Sequence, residues 1–384
     1  MSEVRDSQIG LHSRAGQDAY PSSNEVATRG CLRTTRHRTR EDGFSSIQAM
    51  LILFALSLSV LGLGAGISLT KVYYQKNELV QQDLILLKTE VAEIIQQLES
   101  DPTPDSDSSM DPVWSYIEGK ANDYEYIKLT DVSSRINPNW VRPVFFERTD
   151  LKKFLLKGVS SDMIKDHRNE KGFVLDIKSE YSELIDPDAL DTLFTPYSYI
   201  NVNTAYEYVL KDMYELVTGN PGRADTFHTF ISNSLIEKHI ITEEELINAA
   251  GSDYDSIYPV ISTLPEMNVH FIPEFILKQV LSYPYGGEVI DNNSSIYSTL
   301  LSLRFNSEIT NENLHELIET EGLQERVFDH LGTKTWFWKV EITTGKNQIE
   351  AIVVCVPPVK GGNTVNMMKY DYIYRLYSFT LMKP

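Results

Sequence analysis

From Phe44 to Thr70 the chain carries no charged side chain, and Ala49 to Leu69 is apolar almost throughout. About 20 such residues in one helix cross a bilayer. The apolar pattern then continues in another form: Val80, Leu84, Leu87, Val91, Ile94 and Leu98 recur at steps of four and three, while Gln81, Lys88, Glu90 and Glu93 take other faces. It stops at Ser100-Asp101-Pro102. One helix over residues 44–99 would reach about 84 Å at 1.5 Å per residue, far more than a membrane needs. Its first half (44–70) is therefore expected to span the membrane, and its second half (71–99) to bury an apolar stripe in a soluble domain.

Arg33, Arg36, Arg38 and Arg40 precede the apolar run, and the first cations after it are Lys71 and Lys76. The positive-inside bias places residues 1–43 in the cytoplasm and sends everything after Lys71 across the membrane, so the body is expected to be extracytoplasmic. The formal net charge is −19; residues 1–43 hold seven Arg against six acids, so the remainder carries about −20. Nucleic-acid binding needs clustered Lys and Arg to neutralise phosphates, and a body this acidic argues against such a partner. The two cysteines, Cys31 and Cys355, flank the apolar run and belong to no C-x-x-C pair, so neither a disulfide framework nor a zinc ribbon follows. Cys355 reads as a small buried residue of a strand.

The body has two signature segments. Tyr124 to Leu129 alternates as a strand and leads into Asp131-Val132-Ser133-Ser134-Arg135-Ile136-Asn137-Pro138-Asn139. Further on stands Ile200-Asn201-Val202-Asn203-Thr204-Ala205, in which Ile200 and Val202 read as inward-facing and Thr204 with Glu207 as a capping box opening the next helix. Residues 101–113 are a Pro/Asp/Ser stretch without periodicity, read as a hinge or loop. Helical signals fill 150–330: Leu151, Phe154 and Leu155 share a face, Thr242 to Glu245 is a capping box, Pro273 opens a helix to Leu281, and Asn311 caps Leu314 to Ile318. No exact repeat is visible. The last fifty residues turn β-rich in Trp336–Ile342, Ile349–Val356 and Tyr372–Thr380, with Thr344-Gly345-Lys346-Asn347 as a hairpin turn.

A long helix, greasy first and amphipathic later, resembles that of the type IV pilin family. Arg40-Glu41-Asp42-Gly43-Phe44 looks like the site where that family's prepilin peptidase cuts, after Gly43, leaving Phe44 as the mature N-terminus. The leader is longer than the family's, and Glu41 and Asp42 stand where basic residues are usual. The fifth residue after the cut is Gln48, where most pilins carry a glutamate that pairs with a neighbour's free amine. Its absence resembles the K-type minor pseudopilin of the type II secretion system, the general secretion pathway protein K family; a Gln facing headgroups would account for the same residue. Asp131, Arg135, Asn137 and Asn139, with Asn201, Asn203 and Thr204, resemble that family's Asn-rich segments. The second segment also resembles the opening of helix-hairpin-helix DNA-binding modules, but Lys211 to Gly222 lacks their Gly-hydrophobic-Gly hairpin.

The resemblance implies an α+β fold: the stalk helix packs on an antiparallel sheet formed by 114–149 and 331–384, and 150–330 is a large all-helical insertion of two SAM-like bundles. It implies a non-enzymatic role, a minor pseudopilin that caps the filament tip and helps start its assembly for protein export. Its partners would be the other minor pseudopilins, the membrane and the prepilin peptidase. A minor pilin of a type IV pilus or DNA-uptake system, or a single-span protein with a ligand-binding exterior domain, are the alternatives. Catalytic patterns are missing: none of the eight histidines stands in H-x-H or H-E-x-x-H spacing, and no nucleophile elbow or phosphate loop occurs. Glu183, Asp186, Asp188 and Asp191 cluster beside a helix start, and Asp253 with Asp255 lies in a Gly/Ser loop. The family resembled binds calcium in its helical insertion, and such oxygen-rich loops suit Ca²⁺; acids at helix N-termini are equally favoured by the macrodipole.

Overall fold

The computed structural model describes residues 68, 70–74, 81–237, 239–258, 260–282, 294–306, 309–320, 329–345, 347–357 and 372–382. Apart from residues 68 and 70, the segment read as membrane-spanning (44–70) lies outside them, as do the junction Gly43-Phe44 and Gln48. Among the described residues no helix is long and apolar enough to cross a membrane. Contacts divide the chain after Tyr73, and the elements below belong to the second unit, Tyr74–Pro384.

Helix α1 (81–99) buries Leu87, Val91, Ile94 and Leu98, four residues of the stripe read from the sequence, and the short helix α2 (Pro112–Lys120) adds Val113 and Ile117 to the same core. They pack on a four-stranded antiparallel sheet of order β1-β6-β7-β8: β1 (Tyr126–Asp131), β6 (Phe337–Thr344), β7 (Asn347–Val356) and β8 (Ile373–Met382). Each aliphatic residue sunk there contributes roughly 1.5–3 kcal/mol. The β6–β7 hairpin turns where Thr344 pairs with Asn347, and Gly345 takes the positive φ of 45° that such a turn asks for. The architecture is α+β.

Because β1 pairs with β6, everything between Asp131 and Phe337 leaves the sheet and returns to it. The helices there share two cores: one spans 200–261, and the other joins residues from 136–194 with residues from 267–331. A backbone frame recurs three times, opened by Ile136-Asn137, Ile200-Asn201 and Met267-Asn268. The first residue of each pairs in parallel with Phe194, Ile261 and Leu331 respectively, the latter two within the short strand pairs β2 (Ile200–Asn201) with β3 (Ile261–Ser262) and β4 (Met267–Asn268) with β5 (Leu331–Gly332). Its N–H donates to the carbonyl of Leu193, Val260 or His330, at 3.0, 3.2 and 2.9 Å. The Asn Oδ1 accepts the N–H two residues on, at 3.0 Å from Asn139 and 2.9 Å from both Asn203 and His270. The Asn carbonyl accepts the N–H four residues on, from Val141, Ala205 or Ile272. Each copy then runs through helices: α3 (Pro143–Arg148), α4 (Ser161–Lys171), α5 (Ile177–Tyr181) and α6 (Pro187–Leu193) in the first; α7 (Glu207–Thr218), α8 (Pro221–Ile236), α9 (Glu243–Ala250) and α10 (Tyr254–Ile257) in the second. The third has α11 (Glu274–Ser282), α12 (Ser294–Asn306) and α13 (Asn311–Thr320).

The side chain two places after each Asn clamps a distant backbone. Asn139 Oδ1 accepts from Val174 N and its Nδ2 donates to Val174 O, at 3.1 and 2.9 Å. Asn203 does the same to Ile241, at 2.9 and 3.1 Å. In the third copy the clamp is His270, whose Nε2 accepts from Ile309 N at 3.0 Å. One nitrogen cannot also donate to the Ile309 carbonyl, and His270 Nδ1 is buried with no partner among the described residues. Burial pushes this imidazole down to about 4, so it is neutral when folded and takes a proton near its ordinary 6.5 when unfolded. Stability from this group is present above about pH 6.5 and is lost as pH falls toward 4. His270→Asn should therefore stabilise by about 1 kcal/mol at neutral pH, by restoring the missing bond. The gain should grow by on the order of 2 kcal/mol on acidification to pH 5 and below. Urea melts of the two proteins at pH 7.5 and 5 check this; equal midpoints at both would reject the equivalence of the three clamps.

Candidate functional site

The Asn-rich residues read as a family signature are interior supports. Asp131, at the end of β1, accepts from Ser133 N and Oγ and from Ser134 N and Oγ, holding the turn that leaves the sheet. Ser134 Oγ in turn accepts from Asn268 N, and Ser133 Oγ from Trp336 N, so this turn ties the third frame and β6 to β1. Arg135 donates from Nη1 to the Asp191 carbonyl at 2.9 Å. Asn201, fully buried, donates from Nδ2 to Glu266 and to the Asp329 carbonyl. Thr204 does not cap α7: its hydroxyl donates to Glu266 Oε1 at 3.0 Å, Glu207 lies 3.8 Å from Arg142, and the N-cap residue is Tyr206 without a side-chain cap. A long-range buried carboxylate wins over the local capping pattern. The Thr242–Glu245 capping box forms as read, whereas α13 begins at Asn311 itself, with Thr310 Oγ1 accepting from Asn313 N.

Glu266 also meets His330, whose Nδ1 lies 2.9 Å from its Oε1. A hydroxyl, a carboxylate and an imidazole thus share one buried node. The hydroxyl addresses the carboxylate rather than the ring, so no base stands over it and a nucleophilic relay of the Ser-His-Asp kind is not assembled. Cys355 is buried in β7, and burial pushes its thiol up to about 12, which removes it as a nucleophile.

The acids singled out as a calcium site do not converge. Asp186 Oδ1 caps α6, accepting from Asp188 N and Ala189 N, and Asp191 pairs with Lys178 at 2.5 Å. Asp253 binds Arg223 at 2.7 Å and Tyr214 Oη at 2.9 Å. Among the described residues the carboxylates that gather are those of Asp101, Asp107 and Asp111, within 4.8 Å of one another. They lie in or beside the stretch read as a hinge, which is instead threaded through the interior: Asp107 is 1% exposed. Burial pushes Asp107 up to about 6, against the opposing pull of Lys334, and pushes Asp111 up to about 7.

A divalent cation would find these oxygens engaged. Asp107 Oδ1 accepts from Lys334 Nζ at 2.7 Å and Oδ2 from Thr335 N; Asp111 accepts from Ser108 N and Oγ; Asp101 accepts from Thr103 N and Oγ1. The cluster already has its cation, the Lys334 ammonium, which also donates to Tyr374 Oη of β8. This node ties the loop after α1 to the far strand of the sheet. Neither Asp107 nor Lys334, nor Glu266 with His330, stood out in the sequence. The one signal for them was Met267-Asn268-Val269-His270, a degenerate echo of Ile200-Asn201-Val202-Asn203.

A cleft of about 560 Å³ lies between the first and second helical copies, bordered by Arg142, Val144, Lys165, Tyr206 and Ile236, apart from the buried nodes. Comparison with protein-family models, with curated proteins and with solved structures finds no match.

Proposed function

We propose that this chain is a membrane-anchored, pilin-like subunit, a K-type minor pseudopilin that sits at the tip of a type II secretion filament and helps start its assembly. The observation that carries the reading is α1, which sinks Leu87, Val91, Ile94 and Leu98 into the antiparallel sheet while an uncharged apolar run lies upstream in the sequence. A helix that buries one face in a sheet is a strut for its domain, and an uncharged apolar run of more than about 20 residues upstream would serve as the anchor. The departure of the chain from β1 and its return at β6, with mostly helices among the described residues between, supports a large helical insertion in the body. The polar nodes carry structure rather than chemistry, which supports a non-enzymatic role.

Intact-mass and peptide mass spectrometry of the mature protein tests the proposal. The expected N-terminus is an N-methylated Phe44, and Gly43→Val should leave the Met1 end in place and block secretion of folded enzymes. A full-length, unprocessed chain in a peptidase-positive strain would overturn the filament reading. Loss of pilus-dependent behaviour, with secretion intact, would move the subunit to a pilus.

A further inference from the structure

The sheet has two edges, and they are built differently. β1 is six residues long, exposes Lys128 and follows the exposed Glu125, the short charged form that discourages further pairing. β8 runs for ten residues and closes the sheet on the other side; among the described residues no strand pairs with its outer edge. Ile373, Leu376, Tyr377, Leu381 and Met382 are all exposed on it. It contains no proline and no acid, and its one charge is Arg375. Its only irregularity is the register shift opposite Ile352/Val353. On α1, Lys88 lies over the Phe379 ring of the same strand, 5.3 Å from its centroid. A long apolar strip with a cationic accent stands on a chain whose net charge is −19.

We infer that the outer edge of β8 receives an extended apolar segment of a different protein chain, which carries a carboxylate opposite Arg375. Strand addition supplies main-chain hydrogen bonds along an open edge, and alternate side chains set the choice of segment. Charge decides the occupant. A second copy offers another β8 with no acid to meet Arg375, and it brings another strongly acidic body close. An acid-bearing segment of another protein satisfies both the ladder and the cation. The edge takes such a segment whether or not the chain belongs to a filament.

A photocrosslinking residue placed at Thr380, in the full chain in its native membrane, tests this. The expected adduct joins Thr380 to an apolar segment of another polypeptide that holds an Asp or Glu. Cysteines at Ser378, Thr380 and Met382 should form disulfides with that segment at alternate positions, the signature of a strand ladder. Arg375→Glu should lower the adduct several-fold, and reversing the partner's acid to Lys should restore it. Arg375 is exposed, so the variant should melt with the parent; if it does not, Arg375→Gln takes its place. An adduct to lipid, to a second copy or to residues 358–371 of the same chain would overturn the proposal, as would no adduct or a yield indifferent to Arg375→Glu.

Discussion

Replacing Lys334 by Ala is expected to destabilise the folded body by about 3–5 kcal/mol, the cost of leaving one member of a buried ion pair without its partner. Asp107 and Lys334 are 1% and 5% exposed, and the carboxylate has no route to solvent that would compensate it. The amine also holds Tyr374 on β8, so the loss would reach both the loop after α1 and the end of the sheet. The pH dependence gives the test its sign. Asp107 already sits at about 6, above its ordinary 3.8, so its native form favours the proton; this contribution is complete below about pH 4 and is lost as pH rises through 6. Without the ammonium the carboxyl is driven higher still. The deficit of Lys334→Ala should therefore be smallest near pH 5, where Asp107 can be neutral, and should grow toward pH 8. Asp107→Asn in the same background should recover part of it, because a neutral amide tolerates burial without a counter-ion. Denaturant melts at the two pH values measure this. A deficit that is flat with pH, or below about 1 kcal/mol as for an exposed pair, would show that the two groups do not act as a desolvated couple.

This node also shows what local sequence conveys. The stripe Leu87, Val91, Ile94, Leu98 was legible because helix burial writes its own period into the chain, and the three C-terminal strands because β-branched and aromatic runs bounded by turns have few other uses. Asp107 was not legible. A Pro/Asp/Ser stretch has the same composition whether it hangs in water or is drawn through a core, and what draws this one inward is a lysine 227 positions away. Thr204 and Glu207 failed for a related reason: the capping pattern was present, but Glu266, 62 residues on, competes for the hydroxyl. The threefold frame stayed hidden because, beyond an apolar residue followed by Asn, what it repeats is backbone hydrogen bonding. Ile136, Ile200 and Met267 need only be apolar, and the clamp tolerates His270 in place of Asn at the loss of one bond. In each case a contact far along the chain overrides or reuses a local signal.

Asn201 is the point where such long-range dependence is most concentrated, and Asn201→Ala is expected to cost about 3 kcal/mol. Three bonds disappear in a fully buried place: Asn203 N loses its acceptor, and Glu266 and the Asp329 carbonyl lose a donor. Each buried polar group left unpaired costs about 1–3 kcal/mol, and the carboxylate lies at the upper end. Asn201→Asp is the sharper variant. It keeps the size and the acceptor for Asn203 N but turns the donor into a second anion against Glu266. Because like charges in one buried site cannot both stay ionised, it should do at least as much damage as Ala at pH 8 and much less near pH 5, where the pair can share a proton. If Asn201 instead served as a surface recognition residue, both variants would melt with the parent and lose only a binding activity. Thermal melts at the two pH values separate these outcomes, and Glu266→Gln combined with Asn201→Asp should remove the pH-dependent part, since the repulsion needs both carboxylates.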